Sequence, residues 1–121
     1  MNTYVTTHSC ERMKERVGLP KRAHCRMAKI ALNRGLNPEF TTGDFRDWLE
    51  KKARQHIVEI DSIGNVVLRI HAYELYIFRH LEEQSGDEFE LLITVVRIPK
   101  VFWKMVDSAR LRSESPKETG T

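Results

Sequence analysis

No run of this 121-residue sequence approaches the ~18 consecutive apolar residues that a membrane-spanning helix needs. The N-terminal stretch MNTYVTTHSCERMKER lacks the basic start and apolar core of a secretory signal. A cytoplasmic protein with no membrane partner is therefore expected. There are two cysteines, Cys10 and Cys25, too few for a disulfide framework and suited to a reducing compartment. Both fall on or near apolar helix stripes and are expected as buried free thiols rather than nucleophiles. Set beside His8 and His24, they form an H-x-C…H-C pattern with no regular zinc-ligand spacing, so neither metal nor cofactor is expected. Also missing are a phosphate-cradling glycine loop, G-x-S-x-G, H-E-x-x-H and paired C-x-x-C. Nucleotide-hydrolysing, serine-hydrolase and zinc-peptidase chemistry are left without a motif.

Acid is absent from one long stretch. Between Arg16 and Pro38 there are six basic residues (Arg16, Lys21, Arg22, Arg26, Lys29, Arg34) and no aspartate or glutamate. The overall net charge of +3 hides this asymmetry, because residues 1–56 carry +6 and residues 57–121 carry −3. Such a block is what a phosphate-binding surface requires, and it is equally the composition of a solvated basic face.

What is present divides into a helical front and a strand-rich back. Hydrophobic residues make up 40%, enough for one core in one domain over residues 1–112. The polar segment SESPKETGT, 113–121, has nothing to bury and is expected to be disordered. A first helix is predicted from Thr7 to Val17, capped by Thr7 or Ser9, with Cys10, Met13 and Val17 inward and Gly18 as its stop. A second opens at Pro20 and runs to Arg34, with Gly35 just past its end. A third spans Gly43–Gln55. The period then changes to that of strands at 56–61, 65–71, 74–80 and 88–98, before a last helix from about Lys100. Val66, Leu68, Ile70, Leu75, Ile77, Leu91, Ile93 and Val95 are expected on one sheet face. Tyr76 and Phe78 should share the other with Leu92, Thr94 and Val96. "AY" at 72–73 is a poor hairpin connection. The predicted fold class is α+β: N-terminal helices packed on a four-stranded antiparallel meander sheet, with a C-terminal helix.

His8, Arg12 and Arg16 advance only ~40° per step and lie along one exposed side of the first helix. A histidine can move a proton in either direction near neutrality, and arginines beside it can hold a phosphodiester. The same spacing also suits a wet helix face whose arginines pair with Glu11 and Glu15. Both readings stay open at this point. Lys21, Arg22, Arg26, Lys29 and Arg34, joined by Arg69 and His71 on the strands, are the candidate nucleic-acid-binding residues. The segment from Glu82 to Glu90 carries five acids and could meet a basic protein partner.

"TTHSCERMKER", a second helix ending "NRGL", and "NVVLRIH…LYIF…LLITVVRIP" together resemble a group of small bacterial and phage proteins with an H-x-x-x-R-M-x-x-R helix. That group in turn is similar to the barnase–EndoU–colicin–RelE ribonuclease superfamily. The resemblance covers residues 5–100. It implies helices before a four-stranded antiparallel sheet and metal-independent RNA cleavage of a toxin-like kind. His8 would be general base or acid, Arg12 and Arg16 would bind phosphate, and Thr94 would be the threonine of the fourth-strand motif. "HAYE" departs from the tighter, glycine-containing turn of the pattern, and the acidic loop at 82–90 is longer. The expectation is a small nucleic-acid-acting protein with RNA favoured, either such a ribonuclease or a non-enzymatic regulatory or inhibitory protein. The latter, of a phage type, would dock its basic helices on nucleic acid or a nucleoprotein complex.

Overall fold

A computed structural model describes residues 2–16, 18–19, 23–56, 65–82 and 84–114. The elements run β1 (Asn2–Val5), α1 (Thr7–Arg16), α2 (His24–Arg34), α3 (Gly43–His56), β2 (Val66–His71), β3 (Glu74–Glu82), β4 (Glu88–Arg97) and α4 (Trp103–Glu114). Single 3₁₀ turns at Pro38–Phe40 and Lys100–Phe102 lead into α3 and α4.

The class is α+β, but the sheet is not the predicted antiparallel meander. Its order is β1-β4-β3-β2, and β1 runs parallel to β4 with Thr3 opposite Glu90 and Val5 opposite Leu92. The fourth strand thus comes from the N-terminus. The segment expected as the first strand, 56–61, opens with His56 at the end of α3, and the rest of it lies outside the described residues.

Nor do the helices share one face. Met13 of α1 and Ala28 and Ala31 of α2 are buried with Tyr76, Phe78, Leu92 and Val95. Phe45, Leu49 and Ala53 of α3 and Val106 and Ala109 of α4 are buried with Ile70, Leu75, Ile77 and Val96. The sheet is apolar on both sides and is covered on both, the arrangement a two-sided hydrophobic sheet requires. Aromatic rings fill the second layer: Phe45 stacks on Phe102 at 5.2 Å between centroids, and Tyr73 on Trp103 at 4.5 Å.

A β-bulge between Ile77 and Phe78 decides which β4 side chains face which layer. Tyr76 pairs with Val95 and Phe78 with Leu92, while Ile77 pairs with Thr94. The extra residue reverses the alternation, as bulges do. Thr94 and Val96 therefore lie on the α3/α4 face, opposite to expectation, and Val95 lies under α1 and α2.

Local chemistry explains the ends. Thr6, one residue before the expected caps, starts α1: its Oγ1 accepts from the Ser9 N–H at 3.0 Å, and the Ser9 Oγ accepts from the Thr6 N–H at 2.9 Å. This reciprocal cap satisfies two otherwise orphaned donors. Gly18, at φ 74°, closes the helix by donating to the Met13 carbonyl at 3.0 Å. The "AY" connection is in fact a two-residue turn, with Ala72 at φ 49° and Tyr73 at φ 63°. Both central residues at positive φ make the primed turn that matches strand twist. The helix α2 begins at His24, and Lys21 and Arg22 lie outside the described residues. Cys25 is exposed, not buried, and Cys10 is half-buried. In α4, Val106 and Ala109 point inward, whereas Met105 is 42% exposed.

Candidate nucleic-acid interface

The helix α2 buries His24, Ala28 and Ala31 along one side. Arg26, Lys29 and Asn33 fall within about 60° of one another on the opposite side, and all three are exposed, as is Arg34. None of the three cations forms an ion pair with an acid among the described residues. The first turn of α2 contains no acid either. A cation near a helix N-terminus is unfavourable against the macrodipole, so the helix keeps Arg26 there at a cost that an anion on this face would offset.

The α1 constellation divides. His8 belongs to the first turn of α1, and its side chain lies outside the described residues. Arg12 bonds Glu15 at 2.7 Å, the i,i+3 pairing of a wet helix face. Arg16 turns inward and donates to the carbonyl of Val95. Burial holds its guanidinium below the ordinary arginine range, with Arg12 adding to the effect. Thr94 is wholly buried on the other sheet face, and its Oγ1 has no hydrogen-bond partner among the described residues. The sheet separates it from α1, so these four residues do not form one site.

Two further candidates serve the fold. Arg69 donates through Nε to the Leu32 carbonyl at 3.3 Å and through Nη1 to the Leu68 carbonyl at 2.8 Å, tying the end of α2 to β2. His71 is half-buried with an edge-on contact to Tyr76, and burial, then Arg110, holds its pKa below the usual histidine value.

A cluster that sequence reasoning missed joins Arg16 to Glu74 and Arg97 at one end of the sheet. Glu74 and Arg97 are paired across β3 and β4, and Arg97 Nη2 donates to the Arg16 carbonyl at 2.9 Å. Glu74 is only 8% exposed, and its Oε2 has no hydrogen-bond partner among the described residues. Burial raises its pKa, while Arg97 and Arg16 pull the other way. Burial and then the Glu74 charge also push the Tyr76 phenol well above its usual range. One signal was available: Glu74 keeps the alternation of Tyr76 and Phe78, which puts an acid on a buried face.

At the opposite end, the acidic hairpin turns its charges on itself. His80 meets Glu90 through Nδ1 at 2.5 Å and Glu88 through Nε2 at 3.4 Å. The Glu90 bond is the main reason the His80 pKa is raised. Among the described residues, no group of three or more His, Cys, Asp or Glu is arranged to hold a metal ion. No described helix is long and apolar enough to cross a membrane. Comparison of the chain with protein-family models, with curated proteins and with solved structures finds no match.

Proposed function

We propose that this protein binds nucleic acid, RNA in preference, by laying the exposed side of α2 along the phosphate backbone. It acts as a docking protein, regulatory or inhibitory, on a nucleic acid or nucleoprotein complex. The observation that carries this reading is that Arg26 and Lys29 on the outer side of α2, and Arg34 at its end, are three exposed cations with no acidic partner among the described residues. Cations left unpaired beside an acid-free stretch of sequence are free to displace counterions from phosphate. Ribonuclease chemistry at His8 receives less support, because Arg12 is engaged by Glu15 and Thr94 lies across the sheet.

The test is salt-dependent binding of a single-stranded RNA oligonucleotide. Three phosphate contacts give a slope of about −2 in log affinity against log salt, from roughly −0.7 per contact. The double substitution Arg26→Ala/Lys29→Ala should flatten it to about −0.7. An unchanged slope refutes the docking face. RNA cleavage in EDTA that is lost in His8→Ala would replace docking with the catalytic alternative.

A further inference from the structure

A cleft of about 480 Å³ opens between the β2–β3 turn and the start of α4. It is within the size range of small-molecule sites. Tyr73, Glu74, Arg97, Lys100 and Trp103 border it. The Tyr73 hydroxyl donates to Asp107 at 2.6 Å, and the Trp103 Nε1 donates to the Ile98 carbonyl at 2.8 Å, so both rings are fixed in place. The Lys100 ammonium lies over the Trp103 ring at 5.7 Å from its centroid. The turn that delivers Tyr73 is built from two non-glycine residues at positive φ. Such a conformation persists where the surroundings enforce it, and it recurs at ligand sites.

Glu74 is the group that calls for an explanation. More than nine-tenths of it is buried, and its Oε2 is unpartnered among the described residues; Arg16 Nη1 and Arg97 Nη2 donate instead to the Val95 and Arg16 carbonyls, leaving the other guanidinium N–H groups of Arg97 for a ligand. A buried acceptor with no donor is rare in a native protein. A ligand that answers it must supply N–H donors. It cannot be a cation, because Arg97, Lys100 and Arg16 already make this end of the sheet positive. A neutral donor edge attached to an anionic group meets both conditions, and a nucleotide has that form. Among the bases, guanine alone offers two adjacent donors, N1–H and N2–H, to the two oxygens of a carboxylate. Adenine and cytosine set a repelling acceptor beside their amino group, and uracil has one donor between two carbonyls.

We propose that this cleft is a guanine-nucleotide subsite, with Glu74 accepting from the base edge and Arg97 and Lys100 holding the phosphate. It rests on the docking reading only if the nucleotide belongs to a bound strand; a free nucleotide would occupy it alone.

Calorimetric titration of the full chain with GMP, IMP, guanosine, AMP and UMP tests it. GMP should bind about tenfold or more tightly than IMP, which lacks the second donor. AMP and UMP should be weaker still. Glu74→Gln should erase the GMP-over-IMP difference, because its amide places a donor against a donor. The exposed Lys100→Ala should bring GMP down towards guanosine and leave the preference for guanine over hypoxanthine intact. Equal binding of GMP and IMP, no GMP binding at millimolar concentration, or a preference that survives Glu74→Gln each overturns the subsite.

Oligonucleotides carrying a single guanine, or inosine in its place, distinguish the source. A guanine preference in strand and free nucleotide assigns the subsite to bound RNA, and one confined to GMP assigns it to free nucleotide. Arg26→Ala/Lys29→Ala should weaken oligonucleotide binding and leave GMP untouched. If both are untouched, docking on α2 fails and the subsite stands. If oligonucleotides respond to the α2 charges but GMP does not bind, the reverse holds.

Discussion

Gly35→Ala should destabilise the protein, although an alanine could adopt the local backbone. Gly35 sits at φ −68° and ψ 157°, ordinary extended values. By dihedral angle alone the substitution would stabilise by about 0.4–1 kcal/mol through the unfolded chain. Space decides otherwise. A Cβ there would lie 2.3 Å from the Ala31 carbonyl oxygen, 2.9 Å from the Arg69 Cβ and 3.2 Å from the Ile70 carbonyl oxygen. Two of these neighbours are backbone and cannot swing away. Relief requires the end of α2 to open and the chain after it to leave β2, where three backbone hydrogen bonds converge: Gly35 N–H to Ala31 at 2.8 Å closes the helix, and Leu36 N–H to Ile70 at 2.7 Å and Ile70 N–H to Leu36 at 3.0 Å join the chain to the strand. At a net of about 1 kcal/mol each, their loss costs roughly 3 kcal/mol, offset by the entropic gain to leave about 2–2.5 kcal/mol. For a domain of this size that lowers the melting temperature by roughly 10 °C. Thermal unfolding followed by circular dichroism measures it directly. A melting temperature equal to or above that of the wild type would refute the argument from close approach and leave only the dihedral one.

Two carboxylate-linked groups should make stability depend on pH in the same direction for different reasons. Burial raises the Glu74 pKa above its ordinary 4.5, so the unfolded chain ionises first and wild-type stability declines as pH rises through the folded value. Glu74→Gln should accordingly gain stability relative to wild type as pH rises above the ordinary glutamate value, seen in paired thermal melts; a difference flat with pH would remove burial as the cause. His80 is raised chiefly by its bond to Glu90, so the stability it adds is fully present below about pH 6.5 and is lost as pH rises through the folded value. His80→Gln should therefore lose most against wild type under mildly acidic conditions, and an equal loss at all pH values would argue that the Glu90 contact matters only for packing.

Much of the secondary structure can be read from local pattern. The helices α1, α3 and α4 and the strands β2, β3 and β4 each carry their own periodicity or turn signals, and their observed bounds lie close to the predicted ones. The strand β1 does not, because Asn2–Val5 is too short for alternation to register and its partner Glu88–Arg97 lies at the far end of the chain. The hairpin at 72–73 is present where its flanking strands put it but is weakly signalled by its turn, because Ala72 and Tyr73 adopt the conformation usually marked by Asn-Gly, and it is tertiary contact with Trp103 and Asp107 that holds it. In the candidate site, the basic side of α2 was legible because charge and helical period act locally. Glu74 was not, because its importance comes from burial beside Arg16 and Arg97, two cations distant in sequence.

The bulge at Ile77/Phe78 accounts both for the face on which Thr94 lies and for the Glu74–Arg97 cluster. With an uninterrupted register, Phe78 opposite Leu92 would set Tyr76 opposite Thr94 and Glu74 opposite Val96. Thr94 would then lie beneath α1, within reach of the helix that carries His8, Arg12 and Arg16. One additional residue in β4 instead pairs Tyr76 with Val95 and Glu74 with Arg97. Thr94 is thereby turned into the α3/α4 core, and Arg97 is brought round to the Arg16 carbonyl beside the buried Glu74. Side-chain alternation has a period of two, so a shift of one residue exchanges the contents of the two faces completely. Ile93 is that residue, and without it Phe78–Leu92 and Ile77–Thr94 become consecutive pairs of a regular ladder. Deletion of Ile93 should therefore keep Glu74 opposite Arg97, Thr94 buried and any guanine preference, with the α2 charges untouched. A deletion variant that folds but loses the guanine preference would show that the shape of the bulge itself, and not only the pairing beyond it, builds the site.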